Sequence, residues 1–323
     1  MNIFALISEL EQADPEFMDR INPRRRVFQY LGSCGKKVTA AGMPAIVASF
    51  FSRAYGQTSS ALPATVTSVL NLALQLEYLE YYFYDTALNT TGLINAADTP
   101  AIQLIRNDEA GHINTLRNIA GFTPIADPGR NAFDYSGGSG SGNGPLRDAL
   151  TPGNDVLFFG AAQAFSDTGV RAYKGGAPAL NTTATKDILE AALNIHSVEA
   201  RHNSHFRTVR RGLAANLHGS GAATAAATSP FDAAPKSWIS LIDNGGPVLP
   251  DGSHPAAAVY NAGNPATDYP AESNVTQAGV NLTTTPGGYS AALASEAFDE
   301  PLDPTTVKTI ARMFVTPASG LFQ

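Results

Sequence analysis

Cysteine is nearly absent from this chain: Cys34 is the only one in 323 residues. That excludes an intramolecular disulfide framework and any zinc site built on thiolates. Metal chemistry would therefore have to come from Glu, Asp and His, donors that suit iron, manganese or zinc. Charge is scarce too, at 15% of residues, and the balance is acidic, with a formal net charge of -7. No Lys/Arg-dense face is available to offset phosphate repulsion, which argues against a nucleic-acid partner. The uncharged, mostly apolar stretch from Val38 to Phe51 is too short to cross a membrane as an ordinary helix.

Hydrophobic residues make up 44% of the chain, enough for one large core with an extended appendage, and 29 Gly with 21 Pro indicate much irregular structure. The most informative stretch is Ile195 to Phe206. Its apolar stripe runs Ile188, Ala192, Ile195, then Glu199 and His202, then Phe206, Val209 and Leu213, in steps of three and four. That is the seam of a buried helix with a carboxylate and an imidazole set inside it. The same interruption occurs at Ile102, Ile105, Glu109, His112, Leu116 and Ile119. A buried unpaired carboxylate costs several kcal/mol or shifts its pKa, so each of these groups needs a partner, and a divalent metal satisfies all four. Glu-x-x-His twice, facing inward from two helices, is the ligand pattern of di-iron and di-manganese carboxylate bundles. The alternative is a pair of buried Glu residues matched to neighbouring Arg or His.

Taken in order, residues 1–57 stand apart. Arg24-Arg25-Arg26, the apolar stretch, and then Ala54-Tyr55-Gly56 resemble a twin-arginine export signal with a long preceding region. This implies an exported protein, periplasmic or extracellular. The competing reading is an N-terminal arm of two short helices, because Ile3, Phe4, Ile7 and Leu10 are amphipathic. Residues 58–215 should hold four long helices. The first runs from about Pro63 to Leu88 with the stripe Val66, Leu70, Ala73, Glu77, Glu80, Tyr84. The second runs from about Asp98 to Ala120, with Asp98 or Thr99 as N-cap and Gly121 as terminator. Residues 121–153, rich in Gly, Ser, Pro and Asn, form a long connection; no strand precedes them and no Gly-Lys-Ser/Thr closes them, so they are no phosphate cradle. The third helix spans about Asn154 to Lys174, with Val156, Phe159, Gln163, Ser166, Val170 and Tyr173 on its stripe; the fourth spans about Thr183 or Thr185 to Ala215. Four long helices with one long middle connection describe an all-α, ferritin-like four-helix bundle. Residues 216–323 lose periodicity and are expected to wrap the bundle, with an anchor at Lys236 to Ile242 and helical character from Ala291 to Phe314.

The whole pattern resembles the ferritin-like domain family that includes the desiccation-related proteins. The resemblance rests on Leu72 to Glu80, Asp108-Glu109-Ala110-Gly111-His112, Asp167 to Tyr173, Val198-Glu199-Ala200-Arg201-His202 and, at the C-terminal end, Glu296 to Leu302. It covers roughly residues 60–215 well. It implies that Glu77 is the ligand of the first helix, Glu109 and His112 those of the second, and Glu199 and His202 those of the fourth. The third helix departs from the family: its glutamate position falls on Ser166, which cannot replace an anionic ligand, and Asp167 lies about 100° round the helix. Glu80, one turn beyond Glu77, is a substitute for that carboxylate, a supporting group, or half exposed. His196 and His205 flank the site as supporting or surface residues, and Tyr78, Tyr81, Tyr82 and Tyr84 read as packing residues, with the alternative that one beside a di-metal site relays an electron or hydrogen-bonds a bound oxygen species.

These readings imply a metalloprotein that binds one or two iron or manganese ions in the bundle core and oxidises Fe(II) or consumes oxygen or peroxide, with a homo-oligomer left open. The alternative is a non-enzymatic exported or envelope protein of stress protection with a degenerate metal site. A single-metal zinc hydrolase fits less well, because neither Glu-x-x-His has the His-Glu-x-x-His spacing of that class.

Overall fold

The computed structural model describes residues 61–226, 235–242, 249 and 251–323. The proposed export signal therefore lies outside the described residues. Four long helices dominate: α1 (Ala64–Leu88), α2 (Thr99–Arg117), α3 (Asp155–Leu180) and α4 (Lys186–Ala214). Short connections make α1 with α2, and α3 with α4, two helical hairpins, and α1 also packs on α3. Every predicted stripe residue of α1 is buried, as are the seams of α2 and of α4 from Ile188 to Val209. The apolar part of the core centres on Phe83, which meets the rings of Phe158 and Phe165 at centroid distances of 5.2 Å and 4.9 Å.

Several boundaries differ from the sequence reading. Helix α2 ends at Arg117, and α3 runs on past Lys174 to Leu180. The Gly175-Gly176 pair and Pro178 are poor helix formers, but packing overrides propensity here. A Cβ on Gly175 would lie 2.0 Å from the Leu302 carbonyl oxygen, so only glycine lets the C-terminal segment close on α3. Asp98 does not cap α2 with its side chain. Its carboxylate instead accepts from the Gly219 N–H at 2.7 Å and lies 3.0 Å from His218 Nδ1, tying the exit of α4 to the start of α2.

From Phe158 to Arg171 every residue of α3 is buried, the signature of a helix covered on all sides. The covering layer is the C-terminal segment. Arg171, fully buried, donates to the carbonyls of Glu300, Val259, Asn261, Pro270 and Pro301 and pairs with Glu272 at 2.8 Å. At Lys236 to Ile242, Ile239 and Ser240 are buried while Trp238 stays 47% exposed, and Arg207 holds the carbonyls of Lys236 and Trp238 at 2.8 Å. The helical character near the C-terminal end resolves into two short pieces, α5 (Ala291–Ser295) and α6 (Pro304–Ala311). A minimal hairpin, β1 (Thr276–Gln277) and β2 (Val280–Asn281), pairs antiparallel. The long α2–α3 connection is not free either, since Asp134 and Ser139 donate their N–H groups to the Phe314 and Met313 carbonyls. No described helix is long and apolar enough to cross a membrane.

Candidate metal centre

The Glu and His side chains of the three seams converge in the interior. Glu77 is 3% exposed, Glu109 0%, His112 8%, Glu199 1% and His202 4%. Glu77, Glu109, His112 and Glu199 each offer a ligand atom, and these atoms all lie within 4.8 Å of one another. His112 Nδ1 stands 3.0 Å from Glu77 Oε2, 3.1 Å from Glu109 Oε2 and 3.2 Å from Glu199 Oε1, so one ring nitrogen meets oxygens from α1, α2 and α4. His202 Nδ1 stands 3.2 Å from Glu109 Oε1 and 3.6 Å from Glu199 Oε2. Each of Glu109 and Glu199 thus presents one oxygen to each imidazole. The two rings are 6.2 Å apart, centroid to centroid.

Residues that carry no chemistry themselves set these directions. Asp108 Oδ2 lies 3.1 Å from His202 Nε2, which fixes the ring with Nδ1 toward the carboxylates. Tyr173 donates its hydroxyl hydrogen to Glu77 Oε1. Ser166 donates to the Glu199 main-chain oxygen at 3.0 Å, with Glu199 Oε2 at 3.3 Å. It steadies Glu199 rather than replacing a carboxylate. Asp167 points away from the cluster, as its place on the helix requires, and accepts from Tyr260 under the C-terminal layer.

The electrostatics follow from burial and crowding. Burial pushes the Glu77 carboxyl up to about 8 against the pull of His112. For Glu199, burial would raise the pKa, but the His202 charge and the close approach of both imidazoles hold it far below the carboxylate range. Burial would lower both histidines; the Glu77 charge on His112, and the Glu109 and Glu199 charges on His202, outweigh it and raise them well above the usual value. Burial, then the charges of Glu199, Glu109 and Glu77, drive Glu80 well above the ordinary range.

Three buried ligand-type atoms in this cluster, Glu109 Oε1, Glu199 Oε1 and His202 Nδ1, make no hydrogen bond although opposite charges lie close by. Buried polar atoms are almost always paired, and leaving one unpaired costs about 1–3 kcal/mol. Donors that close together and short of partners fit a cation. Residues 65–212 match the family described as Ferritin-like domain. These residues form a ferritin-like domain. No curated protein and no solved structure matches the chain.

In this ferritin-like bundle the five residues expected as ligands come together in one interior cluster, although His202 stands outside the tight group of four. His196 and His205 do not join them; burial lowers both of their pKa values, and neither Nε2 atom has a hydrogen-bond partner. Three contributors were not singled out from the sequence. Asp108 lies off the seam of its own helix, yet that offset aims it at α4. Tyr173 sits on the α3 stripe and reads as packing. Gly169 carries no side chain to read. The carbon it lacks would lie 3.2 Å from Glu80 Oε1 and 3.5 Å from Glu199 Oε2.

Proposed function

We propose that this ferritin-like protein holds iron or manganese among Glu77, Glu109, His112, Glu199 and His202, and that the loaded protein oxidises Fe(II) with oxygen or peroxide. The observation that carries the reading is the split of the two shared carboxylates. Glu109 and Glu199 each direct one oxygen to His112 and one to His202, with two of those oxygens and His202 Nδ1 left without hydrogen bonds. Carboxylate and imidazole donors suit iron and manganese, which supply one-electron chemistry with oxygen or peroxide when bound. The chain's own residues hold the donors and exclude water. Tyr173 and Ser166 fix Glu77 and Glu199, Asp108 orients His202, and the buried α3 seals one side. An apolar cavity of about 20 Å³ is lined by Leu76, Leu116 and Tyr173 among others, a lining that suits a small apolar molecule such as oxygen.

The test is Fe(II)-dependent oxygen uptake by the purified full chain, compared with Glu199→Gln. Uptake above the free-iron rate that the variant loses supports the oxidase. One observation favours the second reading, a stress-protection protein without a reaction: protons on His112 and His202 and on Glu77 can neutralise the cluster with no metal at all. Bound metal without oxygen uptake would favour that role. Export of the folded, loaded chain is part of the proposal and rests on the Arg24-Arg25-Arg26 run.

A further inference from the structure

The fold normally draws its two single carboxylates from two different helices, with Glu-x-x-His on the other two. Here α3 contributes Gln163, Ser166, Gly169 and Tyr173 along its inner stripe, and no carboxylate faces the cluster from it. Helix α1 contributes two. Glu77 and Glu80 are three residues apart and therefore share a face, and Glu80 is 4% exposed. Tyr84, one turn further on and fully buried, donates to Glu80 Oε2 at 3.1 Å, and its ring stacks on Phe206 at 5.7 Å. That bond turns the other oxygen, Oε1, toward the cluster.

The oxygens are sorted by side. Glu77 Oε2, Glu109 Oε2 and Glu199 Oε1 surround His112 Nδ1. Glu109 Oε1 and Glu199 Oε2 face His202 Nδ1. The Cβ that Gly169 lacks would lie 3.2 Å from Glu80 Oε1 and 3.5 Å from Glu199 Oε2, so Glu80 Oε1 borders the same space as the Glu199 oxygen that faces His202. A side chain at position 169 would press against the Glu80 carboxylate. On the His202 side, His202 Nδ1 and Glu109 Oε1, both buried, lie 3.2 Å apart and make no hydrogen bond.

We propose that Glu80 is the sixth ligand of a two-ion centre, supplied from α1 into the space opened by Gly169 in place of the carboxylate that α3 lacks. One position is then Glu77, Glu109, His112 and Glu199; the other is Glu80, Glu109, Glu199 and His202. This rests on the metal-binding reading above, and the experiment separates the two. The full chain, stripped of metal, is dialysed to equilibrium against Mn(II), and bound manganese is measured by elemental analysis for the wild type, Glu80→Gln and Glu80→Asp, with circular dichroism confirming the fold of each. The expected result is about two ions per wild-type chain, about one for Glu80→Gln, and a second ion bound more weakly than in the wild type for Glu80→Asp. Equal stoichiometry and affinity in wild type and both variants would overturn the role of Glu80 while leaving metal binding intact. A wild-type chain that binds no Mn(II) would overturn the metal-binding reading itself. Should Glu80→Gln not fold, Glu80→Asp decides: a second ion as tight as in the wild type counts against the assignment, and a weakened one supports it.

Discussion

Tyr173 on α3 and Glu77 on α1 are joined by a hydrogen bond in the bundle interior, where Tyr173 donates to Glu77 Oε1 and leaves Oε2 facing His112 Nδ1 at 3.0 Å. Burial, then the Glu77 charge, raise the Tyr173 pKa well above its usual value, so the hydroxyl keeps the proton it donates. Replacing Tyr173 with Phe removes the donor and leaves a buried carboxylate oxygen unpaired. The expected cost is about 1–3 kcal/mol of stability in the metal-free protein, measured by urea unfolding. A change below about 0.5 kcal/mol would mean that Glu77 finds another partner.

Asp108 acts through His202. Its carboxylate is 37% exposed, so Asp108→Asn should cost little stability, while metal affinity falls by about 10–100-fold because the imidazole loses its orienting partner. Competition with a coloured chelator measures the affinity. Unchanged affinity would show that packing alone holds the ring.

The inner face of the bundle was legible because helical periodicity is local. Glu109, His112, Glu199 and His202 interrupt apolar stripes, and those stripes turned out to be the buried seams. The cover on α3 was not legible. Arg171 reaches carbonyls 88 to 130 residues away, in segments with no period to read. The direction of Glu80 was equally hidden, since its place on the α1 stripe allowed three roles and the deciding fact is an absent side chain at Gly169 on another helix. Trp238, the most conspicuous residue of the expected anchor, stays half exposed because the grip falls on main-chain carbonyls and on Ile239.

Arg171 is the main tie between α3 and the C-terminal layer. Arg171→Met leaves Glu272 buried without its cation, and burial already pushes that carboxyl up to about 8 even beside Arg171. Breaking one partner of a buried pair costs about 3–5 kcal/mol, and the double variant Arg171→Met with Glu272→Gln should recover part of it. Thermal unfolding measures both. Equal losses in the single and double variants would show that the carbonyl bonds, not the ion pair, carry the effect.

Asp303 caps α6, accepting from the N–H groups of Thr305 and Thr306 at 3.0 Å, and it also accepts from Asn264 N–H at 2.8 Å. Burial would raise its pKa, but the hydrogen bonds from Thr306, Asn264 and Thr305 outweigh burial and lower it below the usual 3.8. A carboxylate with a depressed folded pKa stabilises the fold fully above its unfolded value, and the contribution is lost as pH falls through the folded value. Asp303→Ala should therefore cost about 1 kcal/mol near neutral pH, with the gap to wild type closing as pH drops below 3.8. A gap independent of pH would contradict the cap.

The most direct test of the account is the metal content of the full chain, purified after expression with iron and manganese supplied and measured by elemental analysis beside Glu109→Gln/Glu199→Gln. The account predicts iron or manganese bound to the wild type and lost from the double variant. Near-zero iron, manganese and zinc in the wild type, or metal retained in full by the double variant, would contradict it.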